Sequence, residues 1–271
     1  MIVDIEDYKS YNKGVIFRGA PHSEKQLGKE DCKVLMKKYN GLFIRNIYNF
    51  DTTEETSFWF IIKDSFYGMD ELKSKIRNQI RRAQNTLDIL PISKEYLLQN
   101  GYNVYLASYK RYKDVITKPI SEDLWIKQVF NSNTGNTEYW GAITKETQKL
   151  IAYAENLIQD NICKYAALKA DPEYLNKYFP FYGLIYLMNE HYLVERKMRY
   201  VTDGARSVTE HSNIQSFLGK FNFRKAYCKL VISYHPLLKV LIELLYPFRR
   251  ITPIRKIKYL LTFEAMQRGD I

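Results

Sequence analysis

Ionisable side chains of both signs crowd one stretch of the chain, between Met198 and Tyr234. Its polar turn holds Asp203, Arg206, Glu210 and His211, and it lies between two apolar runs that are typical of buried strands. Ionisable groups are costly to desolvate, so such a cluster usually either forms ion pairs or takes part in chemistry. We therefore expect the active site, if the chain has one, in this turn.

Acyl transfer is the chemistry that these side chains could perform. Asp203 or Glu210 could take a proton from an attacking amine or hydroxyl group. His211 could act as acid or base near neutral pH, and Arg206 could clamp an anion.

The same turn also has a purely structural interpretation. In that interpretation Asp203 pairs with Arg206 around the turn, and Ser212 or Asn213 caps the helix that follows. His211 is then an exposed loop residue.

Two further groups of cations could hold a phosphate-bearing co-substrate. Lys73, Arg77 and Arg81 recur at helical spacing and form a ridge, and Arg224 and Lys225 stand at the last turn before a strand. For both groups, a solvated surface is the structural alternative.

The other histidines and the cysteines are interpreted as structural. No two histidines have metal-ligand spacing, so we expect no zinc site. The odd number of cysteines, without a CxxC pair, is typical of reduced thiols, and the thiol in the last strand is expected to lie in the core. The residues concerned are His22, His191, His235, Cys32, Cys163 and Cys228.

Composition predicts a folded protein with an anionic partner. The 271 residues are 46% hydrophobic and 26% charged, which excludes a disordered chain, and the net charge is +11. This charge favours phosphates, nucleic acid, coenzyme A or a membrane surface. The sequence lacks a secretory signal pattern and an apolar run long enough to cross a bilayer, so we expect a cytoplasmic protein.

The elements around the turn predict an α+β fold with one mixed sheet flanked by helices. From residue 138 an antiparallel meander gives way to alternating helices and strands. The predicted order is strands Tyr139–Thr144, Leu150–Ile158 and Ile162–Lys169, helices Asp171–Tyr178 and Phe181–Val194, strand Tyr200–Asp203, helix Ser212–Phe221 and strand Tyr227–Tyr234. Upstream, the patterns predict strands at Val15–Phe17, Gly41–Ile47 and Ser57–Lys63, helices at Met69–Leu87, Val104–Tyr112 (after a cap at Ser93) and Ser121–Asn131, and a loop at Asn131–Asn136.

This order is similar to that of the GNAT acyltransferase fold, over roughly residues 57–235. Two segments resemble Fem-like peptidyltransferases, whose fold is two GNAT-like halves: SFWFIIKDSFYGMDELKSKIRNQIRRAQ and YVTDGARSVTEHSNIQSFLGKFNFRKAYCKL. The second ends a strand in Asp-Gly and leads through a helix into a K-F-x-F turn. The chain also resembles acetyltransferase-like proteins of bacterial surface-polysaccharide gene clusters.

The resemblance implies an N-acyltransferase acting on an amine of a sugar or peptide precursor. The donor would be acyl-coenzyme A or aminoacyl-tRNA, with Tyr227 as general acid. It also implies a reduced GNAT-like half at residues 1–95, a GNAT-like domain at 96–235 and a basic amphipathic tail at 236–271. The chain departs from the pattern at KADPEYLNKYFPFYG, where the glycine-rich phosphate loop is reduced to Gly183, so a catalytically degenerate binding module in surface-polysaccharide assembly stays open.

The tail combines a wide apolar face with a basic continuation. Packing against the domain or a partner subunit is one interpretation, and a peripheral contact with an anionic membrane through residues 237–258 is the other. The residues concerned are Leu237, Leu238, Val240, Leu241, Leu244, Leu245, Phe248, Arg249, Arg250, Arg255, Lys256 and Lys258.

Overall fold

A computed structural model describes residues 4–111, 118–132, 136–207 and 213–271. Over these residues the chain forms ten strands and nine α-helices. The strands are β1 (Tyr8–Tyr11), β2 (Gly14–Phe17), β3 (Phe43–Thr52), β4 (Trp59–Lys63), β5 (Leu87–Ile92), β6 (Thr137–Thr144), β7 (Leu150–Gln159), β8 (Ile162–Ala170), β9 (Tyr200–Ala205) and β10 (Arg224–Tyr234). The helices are α1 (Lys29–Tyr39), α2 (Ser74–Thr86), α3 (Lys94–Ser108), α4 (Glu122–Asn131), α5 (Pro172–Tyr178), α6 (Pro180–Glu190), α7 (Ile214–Leu218), α8 (Pro236–Leu245) and α9 (Arg255–Arg268).

The chain divides into two compact units. As far as the structure describes them, the first consists of residues 4–60, 205–207 and 225–271. In this unit β1 pairs with β2 and β3 pairs with β10, both antiparallel, whereas β2 and β3 are parallel. The helix α1 packs on this sheet through Cys32 and Leu35, which lie in one apolar cluster with Tyr8, Val15 and Ile44.

As far as the structure describes it, the second unit consists of residues 61–111, 118–132, 136–204 and 213–224. Here β5, β6, β7 and β8 form an antiparallel meander, and β9 joins β8 in parallel. The helices α3 and α4 bury Leu97, Val104 and Trp125 against Tyr139 and Tyr153 of the meander. Both units mix parallel and antiparallel pairing, so the α+β class is confirmed.

The element order predicted from residue 138 onward is confirmed. Asp171 accepts a hydrogen bond from the N–H of Glu173 and so caps α5, and Ser93 caps α3 in the same way. The predicted strands at Val15, Gly41 and Ser57 correspond to β2, β3 and β4. Residues 133–135 of the predicted loop lie outside the described residues, and the domain limits at residues 95 and 235 stay a prediction.

The predicted helix Met69–Leu87 is wrong at both ends. The helix α2 begins at Ser74, and Leu87 already belongs to β5, a strand that the sequence pattern did not reveal. Leu87 pairs with Thr144 of β6, and this strand pairing outweighs the helical pattern that leads up to it, because strand preference depends on neighbouring strands. The helices α1 and α9 were also not predicted.

A buried ion pair explains why the chain before α2 is not helical. The Lys63 side chain is 2% exposed at the end of β4, and its Nζ lies 2.9 and 3.0 Å from the two carboxylate oxygens of Glu71. A buried ammonium group needs such a partner. The Glu71 carbonyl also accepts a hydrogen bond of 2.9 Å from Asn222 Nδ2, which anchors the turn after α7.

The packing of α6 favours a residue without a side chain at position 183. A Cβ atom on Gly183 would lie 2.2 Å from Ile89 Cδ1 and 3.1 Å from Ala83 Cβ. A Cβ there would displace the end of the Ile89 side chain and press on Ala83, so the backbone of α6 approaches α2 and β5 closely at this point.

We expect Gly183→Ala to lower the free energy of unfolding by about 1–2 kcal/mol, because overpacking outweighs the better helix propensity of alanine. Gly219→Ala is the matched control, since a Cβ there meets nothing within 4 Å and the backbone is helical, with φ −56°. Urea unfolding of the three proteins measures the difference. Equal midpoints for Gly183→Ala and the unsubstituted protein would contradict the packing described here.

Candidate functional site

The parallel strands β8 and β9 pair over only three residue positions. The paired residues are Ile162 with Tyr200, Cys163 with Val201, and Lys164 with Thr202. Beyond this point both strands continue, β8 to Ala170 and β9 to Ala205, but the register between them ends. Backbone groups on strands that stop pairing need other partners, such as water or a ligand.

A bulge in β8 begins where the pairing ends. Glu155 and Asn156 of β7 face Ala167 and Tyr165 of β8, so Ala166 is an extra residue without a partner position. An extra residue bends and twists its strand locally. The bulge therefore directs β8 away from β9 immediately after Lys164.

The strand β9 turns away from β8 at the same level. The Thr202 hydroxyl donates to the carbonyl of Ile61 on β4 at 2.7 Å and accepts from the N–H of Gly204 at 2.9 Å. Gly204 has φ +106°, a conformation that other residues rarely adopt. These contacts hold the end of β9 against β4. Asp203 lies between Thr202 and Gly204, at the point where β9 turns.

A cleft of about 850 Å³ opens where the strands separate. Its walls are β8 on one side, the end of β9 on another, and residues from α2, α5, α6 and α7 around the remainder. The lining side chains and backbone belong to Gln79, Tyr165, Ala166, Ala167, Leu168, Leu175, Asn176, Phe179, Phe181, Tyr182, Asp203, Asn213, Ile214, Ser216, Phe217 and Lys220.

Asp203 is the acidic residue of this lining. Burial raises the pKa of its carboxyl group to about 7, and the nearby ammonium of Lys164 opposes the shift only in part. At neutral pH the carboxyl therefore exists in both protonation states, which suits a general base or acid. Asp203 was predicted as a site residue, and its charged neighbour is Lys164, a residue that the sequence did not single out.

Aromatic rings and one ammonium group line the opposite wall. Tyr182 and Phe217 contact edge to face, with ring centroids 4.9 Å apart. Lys220 Nζ lies 5.4 Å from the Phe217 centroid and 5.9 Å from that of Tyr182. This wall offers an apolar surface beside a positive charge, in keeping with the K-F-x-F turn to which Lys220 belongs.

Gln79 contributes a polar atom without a partner at the base of the cleft. Its Oε1 is buried, and it accepts no hydrogen bond from the residues that the structure describes. A buried acceptor of this kind costs free energy unless a ligand or water satisfies it. Gln79 also lines a neighbouring pocket of about 410 Å³ together with Lys75, Arg82 and Phe179.

The start of α6 is a poor phosphate cradle. Pro180 occupies the first helical position and has no N–H, and the N–H groups of Tyr182 and Gly183 donate to the carbonyl of Phe179. Phe179 itself has φ 53°, in the left-handed region, with the Arg82 guanidinium 5.4 Å from its ring centroid. A helix start that binds pyrophosphate needs several N–H groups pointing outward, and this one offers few.

Three other predicted residues meet in a separate groove of about 330 Å³ in the first unit. Arg206 Nη1 donates to the Ser57 carbonyl at 2.7 Å. Lys225 Nζ lies 5.2 Å from the Trp59 ring centroid. The Tyr227 hydroxyl donates to Glu55 Oε1 at 3.0 Å, and this hydrogen bond raises the pKa of the phenol. Their roles as anion clamp, phosphate contact and general acid stay predictions.

The remaining predicted cations do not line the cleft. Arg224 forms an ion pair with Asp64, with Nε 3.1 Å from Oδ2. Lys73 is the residue before α2, and Arg77 and Arg81 lie on another side of that helix from Lys75 and Arg82.

Two predicted catalytic residues, Glu210 and His211, lie outside the described residues. Asn213, which could have capped α7, makes no side-chain capping bond within the described part of the chain and lines the cleft instead. His191 has Glu195 Oε2 2.6 Å from its Nδ1, in keeping with a structural role. The cysteines are buried free thiols, and Cys228 lies in the core as expected.

No group of three or more His, Cys, Asp or Glu residues in the described ranges could hold a metal ion. Among the same residues, no helix has the length and apolar character needed to cross a membrane.

We expect the raised pKa of Asp203 to make stability pH-dependent. The unfolded chain ionises this carboxyl near its usual 3.8, whereas the folded protein holds the proton up to about 7. The free energy of unfolding therefore falls as the pH rises between these values. Asp203→Asn removes this loss and should be more stable than the unsubstituted protein by on the order of 2 kcal/mol at about pH 8, but not at about pH 4.

Urea midpoints across this pH range measure the effect, and Asp88→Asn on the edge strand β5 is the control. Parallel curves for Asp203→Asn and the unsubstituted protein would show that the carboxyl titrates normally.

No protein-family model matches the sequence, and the comparison with curated proteins also found no match. Among solved structures, FemX is similar over 72% of this chain and 72% of its own, with a TM-score of 0.52 and 10% identity. L-PGS from Bacillus licheniformis is similar over 96% of this chain and 85% of its own, with a TM-score of 0.50 and 10% identity.

A third structure is assigned as the C-terminal domain (DUF2156) of a lysylphosphatidylglycerol synthetase from Agrobacterium fabrum. It covers 90% of this chain and 85% of its own, with a TM-score of 0.54 and 9% identity. At such low identity the likeness shows a shared fold. The resemblance to Fem-like proteins expected from the sequence is thereby confirmed, while a reduced first half stays a prediction.

Proposed function

We propose that the protein transfers an acyl group, and more specifically an aminoacyl group, to an amine that binds in the cleft between β8 and β9. The observation that carries this proposal is the half-buried carboxyl of Asp203, with its pKa raised to about 7, at the point where two parallel strands separate. The Fem-like fold supports the same class of reaction.

The proposed step needs one base and one orienting surface. The amine nitrogen attacks the carbonyl carbon of the donor ester, a C–N bond forms, and Asp203 takes the proton that the nitrogen loses. The ester C–O bond then breaks, and the departing hydroxyl oxygen receives that proton. The reaction consumes no net proton. A carboxyl with a pKa near neutrality suits both proton transfers, from the amine and to the departing oxygen.

The backbone of β8 supplies the orienting surface. Tyr165 to Leu168 line the cleft, and the register with β9 ends at Lys164. Extended backbone of this kind binds peptide-like groups by N–H and C=O hydrogen bonds, as in strand addition. An N–H group on this edge is also suited to stabilise the oxyanion that develops on the attacked carbonyl.

Aminoacyl-tRNA is the donor that the start of α6 favours. Acyl-coenzyme A needs its pyrophosphate bound, but Pro180 lacks an N–H and two following N–H groups donate internally. A tRNA needs only distributed cations for its backbone, and the pocket beside the cleft carries Lys75 and Arg82. The net charge of +11 suits such a polyanion. We propose an amine of a sugar or peptide precursor as acceptor.

A second candidate is a binding module that has lost transfer activity. The same helix start favours it, because a degenerate acyltransferase would lose its phosphate cradle first. The two proposals differ in one respect, since a module binds its ligand without turnover.

We expect labelled amino acid to move from a mixture of charged tRNAs to amino sugars or short peptides with a free amine. Asp203→Asn should lower the transfer rate about a hundredfold and leave the affinity for tRNA unchanged, because it removes the base and keeps the shape. Asp88→Asn should alter neither quantity. Chromatography of the labelled product and filter binding of tRNA provide the two measurements.

Transfer by Asp203→Asn at the unsubstituted rate would contradict the assigned base. Thermal stabilisation by acetyl-coenzyme A, without tRNA binding, would contradict aminoacyl-tRNA as the donor and indicate acyl-coenzyme A instead. Binding of tRNA without transfer to any acceptor would favour the degenerate module.

A further inference from the structure

The segment after β10 exposes an unusual concentration of large apolar side chains. Of the seventeen such exposed residues in the described part of the chain, seven lie between residues 237 and 254. They are Leu237 (78% exposed), Val240 (57%), Leu241 (45%), Leu244 (67%), Phe248 (56%), Ile251 (76%) and Ile254 (57%). Contiguous exposed apolar surface of this kind marks a binding surface.

Four of these residues form one face because of their spacing on α8. Leu237, Val240, Leu241 and Leu244 follow the i, i+3, i+4, i+7 pattern of a single helical face. A different face of α8 already packs inward, where Ile242 lies in a cluster with residues of α9. The fold of the first unit therefore does not use the exposed face, contrary to the interpretation that the whole apolar tail packs on the domain.

A basic segment follows this apolar face in the chain. From residue 236 to residue 258 the sequence has six Lys or Arg residues against one Glu. Arg250, Lys256 and Lys258 are exposed, and Lys239 and Glu243 occupy the polar side of α8, 3.9 Å apart.

We propose that α8 and the residues up to 258, here called the basic apolar face, bind the surface of a membrane that contains anionic lipids. The apolar side chains enter the boundary between headgroups and acyl chains, and the cations contact the negative headgroups. The proposal is independent of the proposed transfer reaction, since it concerns only residues of the first unit.

Charge decides between a membrane and a protein partner. The centres of protein interfaces are depleted of lysine and of charged residues in general, whereas an anionic membrane surface attracts an apolar helix face that is followed by Lys and Arg. A second copy of this chain would bring two strongly basic segments together, which like charge disfavours.

Vesicle sedimentation with the full chain tests the proposal. We expect the protein to bind vesicles of phosphatidylcholine with phosphatidylglycerol at least tenfold more tightly than vesicles of phosphatidylcholine alone. Leu244→Glu should weaken binding about tenfold, because it puts a charge on the face that enters the membrane. Arg250→Gln and Lys256→Gln should each weaken it about fivefold, and only for the anionic vesicles.

The controls are the same substitutions on another exposed helix. Leu124, 53% exposed on α4, is replaced by Glu, and the exposed Lys127 by Gln, and neither change should affect binding. Circular dichroism of each variant establishes that it is folded. Equal binding by Leu244→Glu and Leu124→Glu would overturn the proposal. So would a dimer in sedimentation velocity that Leu244→Glu dissociates, because the face would then cover a second copy.

Discussion

Two parallel strands that stop pairing leave backbone N–H and C=O groups that must be satisfied elsewhere. In this protein that constraint arises at Lys164 and Thr202, the last pair between β8 and β9. The bulge at Ala166 bends one strand, and the Thr202 hydroxyl together with the left-handed Gly204 turns the other. The cleft, its exposed strand edge and its half-buried carboxyl all follow from this one separation.

Electrostatics in the second unit follow a simple division. Lys63 with Glu71, and Arg224 with Asp64, neutralise each other in direct ion pairs and so hold the chain together. Asp203 has no such short contact among the described residues: burial dominates its pKa, and Lys164 compensates only in part. A carboxyl that is desolvated but not fully neutralised destabilises the fold, and carboxyls with such raised pKa values are concentrated at functional sites.

The features that depend on local sequence pattern could be predicted. Asp203 was predicted at the end of a strand, the cap at Ser93 was predicted from residue type and spacing, and a helix was predicted to start at Asp171. The strand β5 was missed because its partner β6 lies some fifty residues further on. Arg206 is three residues from Asp203, yet its contacts are with Ser57 and Trp59 in the other unit, and no local signal reveals that the chain changes unit after Gly204. No local signal marks Lys164 either, since its proximity to Asp203 depends on the parallel register of β8 and β9.

The proposed chemistry depends on a carboxyl of Asp203 that is half-buried in the cleft and has a raised pKa. Carbon-13 NMR of the aspartate side-chain carboxyls, assigned with Asp203→Asn, measures that pKa directly. We expect a midpoint of about 7, because burial disfavours the charged form more than Lys164 favours it. A midpoint near 4, the ordinary value for aspartate, would contradict it.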